Sequence, residues 1–197
     1  ATEHNPALLA SWNELYKLAI ESKNKRTAKH AQEKIEQLKS LPKILLHINQ
    51  ILYGGNLKEA EKKCREFLKV NPTNTHAMSM LAEIASRLGH LNDSEFLLES
   101  AVKLNPKDSE IRKKYLLILR KRQKFSKTME QADILVQQNP HNLSFQAQKA
   151  IEVMQNGDHE ESIRLLENIL EKAPLDPNTL TAKGHAEKTL GRTEDAI

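Results

Sequence analysis

Apolar residues recur along this chain at helical spacing. Between residues 75 and 108, Ala77, Leu81, Ile84, Ala85 and Leu88 follow i, i+3 and i+4 steps, Gly89 interrupts, and Leu97, Leu98, Ala101, Val102 and Leu104 resume the pattern. Side chains three and four apart share one face of an α-helix, so the segment predicts two amphipathic helices joined by a short turn. The same layout opens the chain, through Leu8, Leu9, Trp12, Leu15, Tyr16 and Ala19 and then Ala28, Ala31, Ile35 and Leu38.

The punctuation between these helices is periodic. Pro72, Pro106, Pro140 and Pro174 are each 34 residues apart, and Asn71, Asn105 and Asn139 precede three of them. Gly55, Gly89, Gly157 and Gly191 hold a second phase of this period, with Gln123 in place of glycine in the third unit. A column of small residues runs Ala60, Ser94, Thr128, Ser162 and Ala196. Glycine suits the left-handed residue that closes a helix, because only a residue without Cβ takes positive φ cheaply. Proline removes an N–H and forbids continuation, so it turns the chain into the next unit. The small column falls where two helices approach, and a larger side chain there would cost about 1 to 3 kcal/mol of overpacking.

With helical apolar spacing inside each unit, an internal repeat of this length reads as an all-α fold of repeated helical hairpins. The units resemble tetratricopeptide repeats in the period, in the small residue midway along the first helix (Ala82, Ala150, Gly184), in the Leu-Gly pairs Leu88-Gly89 and Leu190-Gly191, and in the closing proline. The resemblance implies an α-solenoid, a right-handed superhelix, with repeats at 41–74, 75–108, 109–142 and 143–176 and a truncated fifth at 177–197. Residues 1–40, which lack the Gly and Pro columns, are expected to form a degenerate helix pair or cap. The last segment, Lys183 to Ile197, is also similar to the final repeats of bacterial proteins in which such an array precedes a sulfotransferase domain. The loop that holds the sulfate donor in those enzymes has no counterpart in the 197 residues, so that resemblance makes the chain a fragment whose parent's chemistry lies beyond Ile197. An array ending inside a helix leaves an apolar face uncovered, and self-association through that face is a further expectation.

Composition narrows the classes. Hydrophobic residues make up 39%, charged residues 28% and aromatic residues 4% of the chain. There is no apolar run near the ~18 residues a membrane helix needs, and the first residues lack the layout of a signal peptide. With a single cysteine, Cys64, no internal disulfide can form. The expected setting is cytoplasmic and away from membranes.

Candidate chemistry is sparse. Cys64 lies in register with the apolar Leu98, Ala132 and Leu166, which makes it a buried small hydrophobe rather than a nucleophile. His159-Glu160 would open a zinc-protease helix motif only with a histidine at 163, where Ile163 stands. No glycine-rich phosphate loop is present, and Trp12 and Tyr16, four apart, read as core. Neither catalytic residues nor a cofactor or metal site are expected.

Function in this family resides in the concave groove lined by the first helix of each repeat. The resemblance implies inward-facing side chains at repeat positions 2, 5, 6, 9, 12 and 13. These include Leu45, Asn49, Leu52 and Tyr53 in repeat 1, and His76, Met80, Glu83 and Arg87 in repeat 2. Repeat 3 supplies Lys113, Lys114, Leu117, Arg120 and Lys121, and repeat 4 supplies Ala147, Gln148 and Gln155. The carboxylate clamp of chaperone-binding repeats is matched only at Asn49 and half-matched at Lys114: its Lys, Asn, Asn, Lys and Arg positions hold Leu45, Asn49, Met80, Glu110 and Lys114, so binding of chaperone C-terminal tails is not expected.

The formal net charge of +4 invites a nucleic-acid reading. Its distribution argues against one. Residues 109–142 carry eight basic and three acidic residues, whereas 75–108 carry three and five and 143–176 carry three and seven. A phosphate-tracking surface needs a continuous basic path with aromatic residues for stacking. The basic band of repeat 3 better suits an acidic segment of a protein partner. The expected function is therefore a scaffold that binds a peptide or protein in its groove, with the docking arm of a larger sulfotransferase as the alternative.

Overall fold

The computed structural model describes residues 9–192. Eleven helices account for most of them: α1 Leu9–Glu21, α2 Lys25–Ser40, α3 Lys43–Tyr53, α4 Leu57–Val70, α5 Thr75–Arg87, α6 Leu91–Leu104, α7 Ser109–Lys121, α8 Phe125–Gln138, α9 Leu143–Gln155, α10 His159–Leu170 and α11 Pro177–Thr189. The fold is all-α and built of consecutive helix pairs. Ala196, the last residue of the small column, lies outside the described residues.

Why the helices start and stop where they do is visible in the backbone. Each first helix ends on a residue with positive φ: Lys23 (55°), Gly55 (89°), Gly89 (86°), Gln123 (56°), Gly157 (96°) and Gly191 (76°). At these six turns the following N–H reaches back to the carbonyl five residues earlier, as in His90 to Ala85 (2.8 Å), Lys124 to Leu119 (3.0 Å) and Asp158 to Val153 (3.2 Å). This closure satisfies carbonyls that the helix end would leave open. Gln123 performs the reversal without glycine, and so does Lys23 in the N-terminal pair. At the other end, Asn74, Asp108, Asn142 and Asp176 cap α5, α7, α9 and α11 with their side-chain oxygens. This N-cap column also has the 34-residue period.

Two compact units can be distinguished, Ala1–Leu97 and Leu98–Ile197. In the first, Trp12, Ala31, Ile35 and Leu38 form the core of the α1–α2 pair, with Leu46 of α3 resting against it. The Trp12 and His30 rings meet edge to face at 5.5 Å. Leu45, Ile48, Leu52, Ala60, Cys64, Ala77, Leu81 and Ile84 then join α3, α4 and α5 in one apolar cluster. In the second unit, Leu116, Ala132, Leu135 and Phe145 hold α7, α8 and α9 together, and Ala150, Leu166, Ile169 and Ala182 do the same for α9, α10 and α11. The second helix of one pair packs on the first of the next, α4 on α5, α8 on α9 and α10 on α11.

The small column lies in the interior. Ala60, Ser94, Thr128 and Ser162 are all fully buried. Ser162 Oγ donates to the Ala150 carbonyl of the facing helix (2.8 Å), and Thr128 Oγ1 donates to the carbonyl of Lys124 at the start of its own helix (2.8 Å), so these two hydroxyls enter the interior with a partner. The prolines contribute an acceptor as well as a break: Arg112 donates to Pro106 O (2.8 Å) and Gln146 to Pro140 O (2.5 Å), each reaching back six residues.

The left-handed turn gives a direct test. The space around Gly157 is open to an added Cβ, so Gly157→Ala should be felt only through the backbone, lowering unfolding free energy by about 1 to 2 kcal/mol. Gln123→Gly should act in the opposite direction, by up to about 1 kcal/mol. Urea unfolding followed by circular dichroism measures both, and equal effects of like sign would contradict the reading.

Candidate functional site

A 3.6-residue helical period leaves α7 with two unlike sides. Ile111, Arg112, Tyr115, Leu116, Ile118 and Leu119 are buried. The remaining stripe, Glu110, Lys113, Lys114, Leu117, Arg120 and Lys121, is exposed or half-buried. Leu117 is 37% exposed in the middle of these charges. The equivalent stripe of α9, one repeat further on, is Ser144, Ala147, Gln148, Ile151, Met154 and Gln155, with no charged side chain in it. Ala147 and Ile151 rest on the core below.

Arg120 joins the two helices. Its Nε donates to Glu152 Oε1 at 2.9 Å, and its Nη2 is bonded to the same oxygen. Gln148 Nε2 donates to that oxygen too, at 3.0 Å. Glu152 is 3% exposed. Burial pushes its carboxyl above the ordinary glutamate range, and the hydrogen bond and charge of Arg120 pull partly the other way. Arg120 and Gln148, both half-buried, thus share one buried acceptor. Arg112 is internal, donating to Gln131 Oε1 and Pro106 O, with burial lowering its pKa. The basic band that the sequence places on repeat 3 therefore reaches the α7 stripe chiefly as Lys113, Lys114 and Lys121.

The first unit builds a different arrangement. Tyr53 Oη donates to Glu83 Oε1 (3.0 Å), Arg87 Nη2 donates to the same oxygen (2.7 Å), and the Arg87 guanidinium lies 4.9 Å from the Tyr53 ring centre. Burial, then the charge of Glu83 and its hydrogen bond, raise the Tyr53 phenol to about 12, against the opposing charge of Arg87. Tyr53 is consequently a neutral donor, and Glu83 offsets the charge of Arg87. Asn49 is half-buried on α3.

Three of the residues implied for the groove, Leu45, Leu52 and Met80, must be corrected. Leu45 and Leu52 are fully buried among Ile48, Ala60 and Cys64. Their side chains fill the α3–α4–α5 core and cannot meet a partner. Met80, at 6% exposed, is likewise core. The physical reason is that α3 turns Leu45, Ile48 and Leu52 together onto its packing face. Conversely, Glu152, which neutralises Arg120, falls outside the family positions, and Ile151 and Met154, at positions 9 and 12 of repeat 4, were not singled out from the sequence. A lone acidic residue between the apolar Ile151 and Val153 was the available signal.

Cys64 is fully buried and its Sγ lies 3.3 Å from Ala77 O. Desolvation pushes the thiol up to about 12, which leaves no thiolate for chemistry near neutral pH. Among the described residues no group of three or more His, Cys, Asp and Glu could hold a metal ion, and no helix is long and apolar enough to cross a membrane.

These features define a protein of stacked helical hairpins. Residues 52–115 match the tetratricopeptide repeat family. Solved structures agree in fold. The 41-to-end portion of MamA from Desulfovibrio magneticus RS-1 superposes with a TM-score of 0.69 at 12% identity, covering 78% of this chain and 86% of that one. A second MamA crystal structure gives 0.66 at 16%, covering 76% and 87%. YrrB, described as a TPR protein with an unusual peptide-binding site, gives 0.64 at 14%, covering 84% and 86%. None of the curated proteins matches the chain.

The Glu152 cluster generates a prediction. Glu152→Ala leaves Arg120 and Gln148 without their shared acceptor and should cost about 1 to 3 kcal/mol, whereas Glu152→Gln retains an oxygen and should cost less. Because the folded carboxyl titrates above its unfolded value, its contribution to stability is fullest below the unfolded pKa and is lost as pH rises through the folded pKa. The unfolding free energy of the wild type relative to Glu152→Gln should accordingly fall from acid to neutral pH in denaturant titrations.

Proposed function

We propose that this chain is a protein-interaction scaffold whose second unit binds an acidic segment of a partner along α7. The observation that carries the reading is the α7 stripe, where Lys113, Lys114 and Lys121 surround an exposed Leu117 while Arg120 is held by Glu152. In the first unit Tyr53, Glu83, Arg87 and Asn49 offer hydrogen bonds with little net charge, a surface suited to polar side chains or peptide backbone. The peptide-binding site named for YrrB, a structure of like fold, is consistent with this use. Chaperone tails are outside the proposal, because Leu45 and Met80, where that clamp uses polar groups, are buried apolar residues.

Catalysis has no part in this reading of the chain, and a cytoplasmic setting is part of it, supported by the single, buried and unpaired cysteine. The alternative of a docking arm for a sulfotransferase rests on general repeat positions within residues 183–197 and gains no support from the structural matches.

Exposed charge pairs contribute only about 0 to 1 kcal/mol each, so several lysines together are needed to guide an acidic partner. Reversing two of them, Lys113→Glu with Lys121→Glu, should weaken binding of a poly-glutamate-containing peptide by about tenfold or more near physiological ionic strength and flatten its salt dependence. Fluorescence anisotropy of the labelled peptide reads both effects, and undiminished affinity would remove α7 from the site.

A further inference from the structure

The α7 and α9 stripes lie beside one another, since Arg120 crosses from one helix to bond Glu152 on the other. They differ sharply in chemistry. The α7 stripe presents three lysines and, at its N-terminal end, one carboxylate, Glu110, while the neighbouring α9 stripe is uncharged and offers, among Ser144, Gln148 and Gln155, the half-buried apolar side chains of Ala147, Ile151 and Met154. Glu152, the nearest carboxylate on α9, is turned inward and carries its charge against Arg120. An approaching anionic segment therefore meets cations on one side and an apolar, uncharged strip on the other.

We propose that the second unit receives an acidic amphipathic peptide, with its carboxylates on Lys113, Lys114 and Lys121 and its apolar side chains on Ile151 and Met154 beside Leu117. This rests on the acidic-segment reading above and specifies what that segment must also carry. Charge complementarity selects the acidic face. The absence of charge from the α9 stripe selects the apolar one, because a carboxylate placed over Ile151 and Met154 would lose water without gaining a partner. A uniformly acidic tail satisfies only half of the surface.

Three synthetic peptides distinguish the terms when titrated by fluorescence anisotropy. The first carries glutamates and leucines on adjacent faces, the second replaces its leucines by serine, and the third replaces its glutamates by glutamine. The first should bind about tenfold or more tightly than the second, the difference expected from partial burial of apolar side chains. Ile151→Ser and Met154→Gln should each narrow that gap several-fold and leave the second peptide's affinity unchanged. Met154 lies outside the α9–α10–α11 apolar cluster, so this variant keeps the test decisive if Ile151→Ser unfolds the protein. Equal affinities of the first and second peptides would overturn the amphipathic requirement and leave the acidic site standing. The third binding as tightly as the first would overturn the role of charge. Binding of neither acidic peptide would defeat the acidic site itself, and this inference with it.

Discussion

The helix pairs depend on one backbone reversal, repeated at each first-helix end. A residue with positive φ ends the first helix and sends the chain back along it, at Lys23, Gly55, Gly89, Gln123 and Gly157, and Gly191 closes α11 in the same conformation. Because the reversal has the same geometry each time, the second helix meets the first in the same register. That register explains why Ala60, Ser94, Thr128 and Ser162 are all excluded from solvent. Glycine makes the conformation cheap, but Gln123 adopts it as well, which indicates that the packing of α7 and α8 over-determines the turn.

Packing on one side of each first helix fixes what the other side can offer. In α7, burying Ile111, Tyr115, Leu116, Ile118 and Leu119 leaves a charged stripe, and in α9 the same constraint leaves an uncharged one. The chemistry of the surface therefore changes from one repeat to the next while the backbone repeats. Inter-helix ion pairs follow the period as well: Lys149 bonds Asp133 and, 34 residues on, Lys183 bonds Glu167. Such pairs set register more than they add stability, since partly exposed ions remain well solvated.

Much of this fold was legible in the residues. The Gly and Pro columns gave the helix breaks, the 3.6-residue apolar spacing gave the buried faces, and Cys64 could be placed in the core because its register partners are Leu98, Ala132 and Leu166. The N-cap column Asn74, Asp108, Asn142 and Asp176 was equally present in the sequence, although its function becomes evident only when each side-chain oxygen is seen bonded to a helix N–H. The candidate surface was less legible. Family positions gave Lys113, Lys114 and Lys121 on the exposed side of α7, yet Leu45 and Leu52 proved to be core.

The sequence by itself determined the period, the helical hairpins and the face of each helix that must be buried, because these follow from local backbone preference and the spacing of apolar side chains. Only the tertiary structure decided which charges are spent inside the fold. Arg120 lies on the same helical face as Lys113 and Lys121, but its guanidinium is held by a buried carboxylate 32 residues away. Neither residue's local spacing encodes that pairing; it arises from two helices being brought together, where low exposure makes an unpaired carboxylate costly and an arginine across the gap its natural partner.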